Sequence, residues 1–118
     1  MNTVEIVKSK QDKREYKALE LSNKLTCLLI HDPDTDKSAA SLNVHVGCAL
    51  DPKPLYGTAH FLEHMLFQGS EKYPKETEYM DFINNNGGSS NANTTMENTN
   101  FHLNISNGAF EEALDRVS

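Results

Sequence analysis

A chain of 118 residues with 11 Lys and Arg against 17 Asp and Glu has a net charge of −6 with His neutral. That balance disfavours nucleic acid and anionic membrane surfaces as partners. The hydrophobic fraction of 37% is lean for a globular domain, so the chain reads as a piece that expects neighbours, and its longest apolar run, Cys27–Ile30, is too short to span a bilayer.

Residues 1–13 are polar and charged, without the apolar stretch of a secretory leader, and read as a mobile lead-in. Tyr16–Leu21 and Leu25–His31 read as two strands joined by a turn at Ser22-Asn23-Lys24. Asp32–Asp36 is a turn, because Pro33 fixes φ and the Asp side chains bond locally. Ala39–Val46 alternates Leu42, Val44 and Val46 with Ser41, Asn43 and His45, the period of a strand. Gly47–Pro54 connects it to a helix at Leu55–Gln68, closed by Gly69-Ser70. A second helix, Lys75–Asn85, carries Tyr79, Phe82 and Ile83 on one face and stops at Gly87-Gly88. Ser89–Thr95 and Thr99–Ile105 form a hairpin around Met96-Glu97-Asn98, with Phe101, Leu103 and Ile105 on one side. Asn107 can cap a last helix whose Phe110, Ala113, Leu114 and Val117 share a face. Strands in succession with interspersed helices make an α+β fold with a mainly antiparallel sheet and helices packed on it. Cys27 and Cys48 have no C-x-x-C spacing and read as reduced thiols, with a disulfide between them as the alternative. A reducing, cytoplasmic setting follows from the first reading.

The stretch with most chemistry is His60-Phe61-Leu62-Glu63-His64. A helix turns about 100° per residue, so positions i, i+3 and i+4 share one face. His60 and His64 then stand one turn apart, close enough for two ring nitrogens to reach one zinc ion, and Glu63 beside them can take a proton from water. The order H-x-x-E-H is the inverzincin signature. On the same wheel Phe61, Leu62, Met65 and Leu66 form an apolar stripe opposite, which is expected to dock on the core. The plain alternative is an amphipathic helix whose polar face is simply wet. Downstream, Ser89–Thr95 is short-chained and polar, which suits either an ordinary Asn-rich hairpin arm or an exposed strand that accepts a peptide as an added strand.

Gly57-Thr58-Ala59-His60-Phe61-Leu62-Glu63-His64-Met65-Leu66-Phe67 resembles the zinc helix of the insulinase (pitrilysin) metallopeptidases. The likeness extends upstream through Asp12-Lys13-Arg14-Glu15-Tyr16, Asp36-Lys37-Ser38-Ala39-Ala40 and Val44-His45-Val46-Gly47. Downstream it runs through Lys72-Tyr73-Pro74-Lys75-Glu76, Gly88-Ser89-Ser90-Asn91-Ala92 and Ala113-Leu114-Asp115-Arg116. The resemblance implies a zinc endopeptidase acting on oligopeptides, with Zn2+ held by His60 and His64 and Glu63 as the catalytic base. It implies that residues 14–118 are the N-terminal portion of the catalytic domain, with the third zinc ligand, a Glu, beyond Ser118. Among visible residues only Glu97 and His102 are later metal-capable candidates, and a turn acid and an outward strand side chain are the simpler readings of both. The resemblance also implies substrate-binding roles for Asn91 and Ala92, with Phe67 in the pocket wall. Asn93 stands where relatives tend to carry an aromatic, and Leu62 where they often carry Cys. The other function class is a non-catalytic interaction module or partner subunit of the same fold. The expected partners are peptide substrates and the remainder of the metallopeptidase chain. Self-association of this stretch is also expected, through apolar surface at Phe101, Leu103, Ile105, Phe110 and Leu114.

Overall fold

The computed structural model describes residues 6–117, so the first five residues of the expected lead-in and the expected helix end at Ser118 lie outside the described residues. The chain divides into two compact units between Thr35 and Asp36.

In the first unit β1 (Glu15–Glu20) pairs antiparallel with β2 (Thr26–His31), from Glu15 opposite His31 to Glu20 opposite Thr26. The turn is closed by Leu21 N–H on the Leu25 carbonyl at 2.9 Å, with Lys24 in the left-handed region at φ 70°. Part of the expected lead-in is tied down. Asp12 accepts from Arg14 Nε and Nη2 at 2.9 and 2.8 Å and from Tyr16 Oη at 2.7 Å. The Arg14 guanidinium, seconded by the Tyr16 hydroxyl, holds the Asp12 carboxyl well below the usual carboxylate range.

In the second unit three antiparallel strands lie in the order β3-β5-β4 (Lys37–Val44, Thr99–Ser106, Ser89–Thr94). β3 starts and ends two residues earlier than its alternation predicts, because its register with β5 runs from Lys37 opposite Ser106 to Val44 opposite Thr99. Three helices accompany the sheet: α1 (Thr58–Met65), α2 (Glu78–Asn85) and α3 (Phe110–Val117). A short 3-10 turn at Asn107–Ala109 precedes α3, and Asn107 Oδ1 accepts from Ser38 Oγ at 2.8 Å. α2 begins later than expected: Glu78 N–H bonds the Lys75 carbonyl at 3.0 Å in a turn before it, and Lys75 Nζ and Thr77 Oγ1 both donate to Asp81, at 2.9 and 2.7 Å.

The core is small and sits between β5, α2 and α3: Tyr79, Ile83, Leu103, Ile105, Ala109 and Ala113. Leu103 and Ile105 are therefore covered from within, contrary to the expectation that they leave apolar surface open, and Phe101 and Phe110 are half-buried. Leu114 is exposed, as expected, and further exposed apolar side chains lie on β2 (Leu28, Leu29, Ile30), on β3 (Leu42, Val44), on the segment before α1 (Leu50, Leu55, Tyr56) and on α1 itself. Ile83 has no exposed surface, so Ile83→Val should lower the unfolding free energy by about 0.5–1.5 kcal/mol. Urea melts of the two chains check this, and an unchanged midpoint would contradict the packing.

Residues 72–73, 115 and 116 join α3 to the segment that follows α1. Asp115 accepts from Lys72 Nζ at 2.6 Å and from the Tyr73 hydroxyl, and these two bonds lower its carboxyl in that order. The Arg116 guanidinium lies between the rings of Phe82 and Tyr73, 3.9 and 4.4 Å from their centroids, and bonds Glu78 at 3.3 Å. A planar cation stacked on two rings makes apolar and electrostatic contacts together, which Lys would not reproduce.

Candidate metal centre

α1 is shorter than the expected Leu55–Gln68, and both ends have a local cause. Before it, Leu55 N–H bonds the Pro52 carbonyl at 2.6 Å and Gly57 stands at φ +91°, which makes a turn. Asp51 then supplies the cap from a distance: its carboxylate accepts from Gly57 N–H at 2.6 Å and from Ala59 N–H at 2.9 Å. These satisfy donors that a helix start leaves open, and negative charge is favoured there. At the other end Gln68 N–H reaches the Met65 carbonyl at 3.1 Å, tightening the last turn.

Three side chains meet on this helix. His60 Nε2 and His64 Nε2 are 3.0 Å apart, with ring centroids at 4.8 Å. One carboxylate oxygen of Glu63 lies within 4.8 Å of the histidine ligand atoms. The arrangement fits a zinc ion: two nitrogens each at 2.0–2.1 Å from a tetrahedral centre would be roughly 3.3 Å apart. The two imidazoles are exposed, whereas Glu63 is 6% exposed. A buried carboxylate is costly unless something compensates its charge. Here Thr94 Oγ1 donates to Glu63 Oε2 at 2.5 Å, and two imidazoles flank it.

The expected orientation of the helix is reversed. Ala59, Glu63 and Phe67, at i, i+4 and i+8, form the line of lower exposure, while Phe61 is 67% exposed and Leu62, Met65 and Leu66 are also exposed. α1 packs on β4 and β5. Phe67 stacks against Tyr79 and Phe101, with centroids at 5.8 and 6.4 Å, and Glu63 is bonded to β4. These contacts turn the apolar stripe away from the sheet.

β4 is an edge strand of its sheet. Asn91 and Asn93 are on its open face and Ser90, Ala92 and Thr94 on the inner one. Ser90 Oγ donates to the His102 carbonyl at 3.0 Å, so Tyr79 Oη donates to Ser90 Oγ at 2.7 Å. Asn91 stands opposite His102 and Ala92 opposite Phe101. His102 is thus on the face away from α1. Among the described residues the group able to hold a metal is His60, Glu63 and His64, and neither Glu97 nor His102 joins it. Two contributors were not singled out from sequence, Asp51 and Thr94. Thr94 could have been found from alternation, as the polar end of the line Ser90, Ala92, Thr94 that shares a side with Phe101.

The described residues contain no helix long and apolar enough to cross a membrane. Cys27 and Cys48 are free thiols.

Residues 26–118 match the family model described as Insulinase (Peptidase family M16). Over 114 residues the chain is 57% identical to insulin-degrading enzyme-like 2 of Arabidopsis thaliana, covering 97% of this chain and 12% of that protein. It is 54% identical over 113 residues to human insulin-degrading enzyme, covering 96% of this chain and 11% of that protein. The crystal structure of pitrilysin superposes with a TM-score of 0.91 at 40% identity, covering 98% of this chain and 13% of that one. The chain therefore spans roughly an eighth of the length of these relatives.

Proposed function

The chain belongs to the insulinase family of peptidases, and from that premise we propose that it is part of a zinc-dependent endopeptidase of the H-x-x-E-H type that hydrolyses oligopeptides. The observation that carries this reading is the pair of imidazole nitrogens 3.0 Å apart beside a buried carboxylate. His60 and His64 would hold the metal. When bound, zinc supplies Lewis-acid polarisation and lowers the pKa of water towards about 7. Glu63 holds an acceptor oxygen beside that position, takes the proton of the attacking water and delivers it to the leaving amine. β4 would receive the substrate as an added strand, through the backbone of Asn91 and Ala92, and its free edge supports this. Phe67, already wedged between Tyr79 and Phe101, would form a rigid part of the pocket wall.

A catalytic zinc has three protein ligands and an open position. Two are in hand, and we place the third, a Glu, in polypeptide beyond Ser118, of which residues 14–118 would be the N-terminal catalytic portion. That same polypeptide, or a second copy of this chain where it stands alone, would cover the exposed arc of α1. The free thiols favour a reducing, cytoplasmic setting.

Calorimetry separates the elements of this reading. Residues 1–118 should bind zinc weakly and release it in acid, since a protonated imidazole has no lone pair to give. A version long enough to complete the ligand set should bind tightly and cleave unstructured peptides, with His60→Ala or His64→Ala abolishing both. Tight one-to-one binding by a monomer of residues 1–118 would place the third ligand within it. A long version that binds zinc but cleaves nothing would favour the interaction-module reading.

A further inference from the structure

We infer that Thr94 is a positioning residue for the base: its hydroxyl fixes the Glu63 carboxylate and couples it to the strand on which the substrate docks. The inference rests on the reading of Glu63 as base and extends it to a residue on a different element. Among the described residues Thr94 is the hydrogen-bond donor to this carboxylate, at 2.5 Å from Oε2. A hydroxyl-to-carboxylate bond is charge-assisted and about twice as strong as a neutral one. Glu63 has little water around it, at 6% exposure, so this bond replaces much of the lost hydration of one oxygen. With Oε2 held, rotation of the carboxylate about its last torsion, otherwise broad, is restricted. The other oxygen is then presented in one direction.

Thr94 is suited to this by its place in the sheet. It is the last residue of β4 and stands opposite Thr99 in the ladder with β5. Thr99 is itself buried, and its hydroxyl donates to the Val46 carbonyl at 2.9 Å. Just beyond, Thr95 N–H bonds the Asn98 carbonyl at 2.8 Å, closing the turn between the strands. The backbone under Thr94 is therefore fixed on its non-edge side. A peptide added to the free edge of β4 would lie along the strand that carries this hydroxyl. Substrate and base would then share one rigid reference, which is the geometry that lets binding energy serve orientation.

The test uses zinc-loaded protein of full ligand set and a quenched fluorogenic peptide. Thr94→Val retains the shape and removes the hydroxyl; Thr94→Ser retains the hydroxyl. Thr94→Val should lower kcat by about tenfold or more, with KM and zinc stoichiometry unchanged, and Thr94→Ser should restore kcat to within about threefold. In the zinc-free protein, urea melts supply a readout that needs no turnover. The unfolding equilibrium constant should respond to Thr94→Val by roughly tenfold when Glu63 is present and hardly at all in a Glu63→Ala background. If the Val variant does not fold, Thr94→Ala takes its place in both measurements. A kcat within twofold of the parent, or a Ser variant as impaired as the Val variant, would overturn the inference. Glu63→Gln run in parallel separates the two failures. An inactive Gln variant beside an unimpaired Val variant removes Thr94 alone, whereas an active Gln variant removes the base on which its role depends.

Discussion

Replacing Glu63 by Gln, in protein long enough to complete the ligand set, should leave zinc bound and reduce peptide turnover by about 10²–10⁴-fold. The amide has the shape of the carboxylate, so it can fill the same buried position, and its carbonyl oxygen can still accept the Thr94 hydroxyl. What it lacks is a basic oxygen. On the proposed assignment the ligands are His60 and His64, so metal content should not fall. Nor should the fold weaken, because a buried charge is replaced by a neutral group that keeps its hydrogen bond. Metal analysis, thermal melting and kcat on the same preparation distinguish these outcomes. Retained turnover would remove Glu63 from the chemistry, and lost zinc would make it a ligand instead.

The legible part of this site was the part governed by period. Helical spacing alone brings His60, Glu63 and His64 to one face, and the structure brings their ligand atoms together. Alternation alone gives the hairpin of β4 and β5 with Phe101, Leu103 and Ile105 on one side, but not that α2 and α3 cover Leu103 and Ile105 there. The α+β layout follows from the same two periods, and the likeness to pitrilysin agrees with it. A wheel, however, says which residues share a side and not which side the sheet takes. The four large apolar residues of α1 outweigh Ala59, Glu63 and Phe67 on any count of hydrophobicity, yet the latter line faces the sheet. Phe67 finds two aromatic partners, and Glu63 finds a hydroxyl, on residues far along the chain. No local pattern contains those contacts. Arg116 shows the same limit, since nothing near it in sequence announces the rings of Tyr73 and Phe82 that enclose it.

Gly47 is a further residue whose reason is tertiary, and adding a single methyl there should have a large effect on stability. In sequence it is a loop glycine. Its backbone, φ −148° and ψ −164°, is extended and open to any residue, so conformational freedom is not what it provides. Its neighbours decide the matter. A Cβ at this position would lie 2.2 Å from the Thr95 carbonyl oxygen, 2.7 Å from Met96 C and 2.8 Å from Asn98 N. All three are backbone atoms of the turn between β4 and β5, with no flexible side chain to swing aside. The same approach lets Cys48 N–H and Ala49 N–H bond the Thr95 and Met96 carbonyls, each at 2.9 Å. Gly47→Ala must therefore separate two backbones and stretch both bonds. The expected loss is about 3 kcal/mol or more, at or above the upper end of ordinary overpacking. The turn so displaced begins next to Thr94, and the segment after Gly47 leads to Asp51, the cap of α1. Zinc affinity should therefore fall with stability. Gly108→Ala is the matching control, because a Cβ there meets nothing within 4 Å, and its stability should stay within about 1 kcal/mol of the parent. Urea melts of the two variants, with zinc titrations alongside, give the comparison. Equal stability of the two would mean that the turn yields, and that Gly47 is held by something other than this contact.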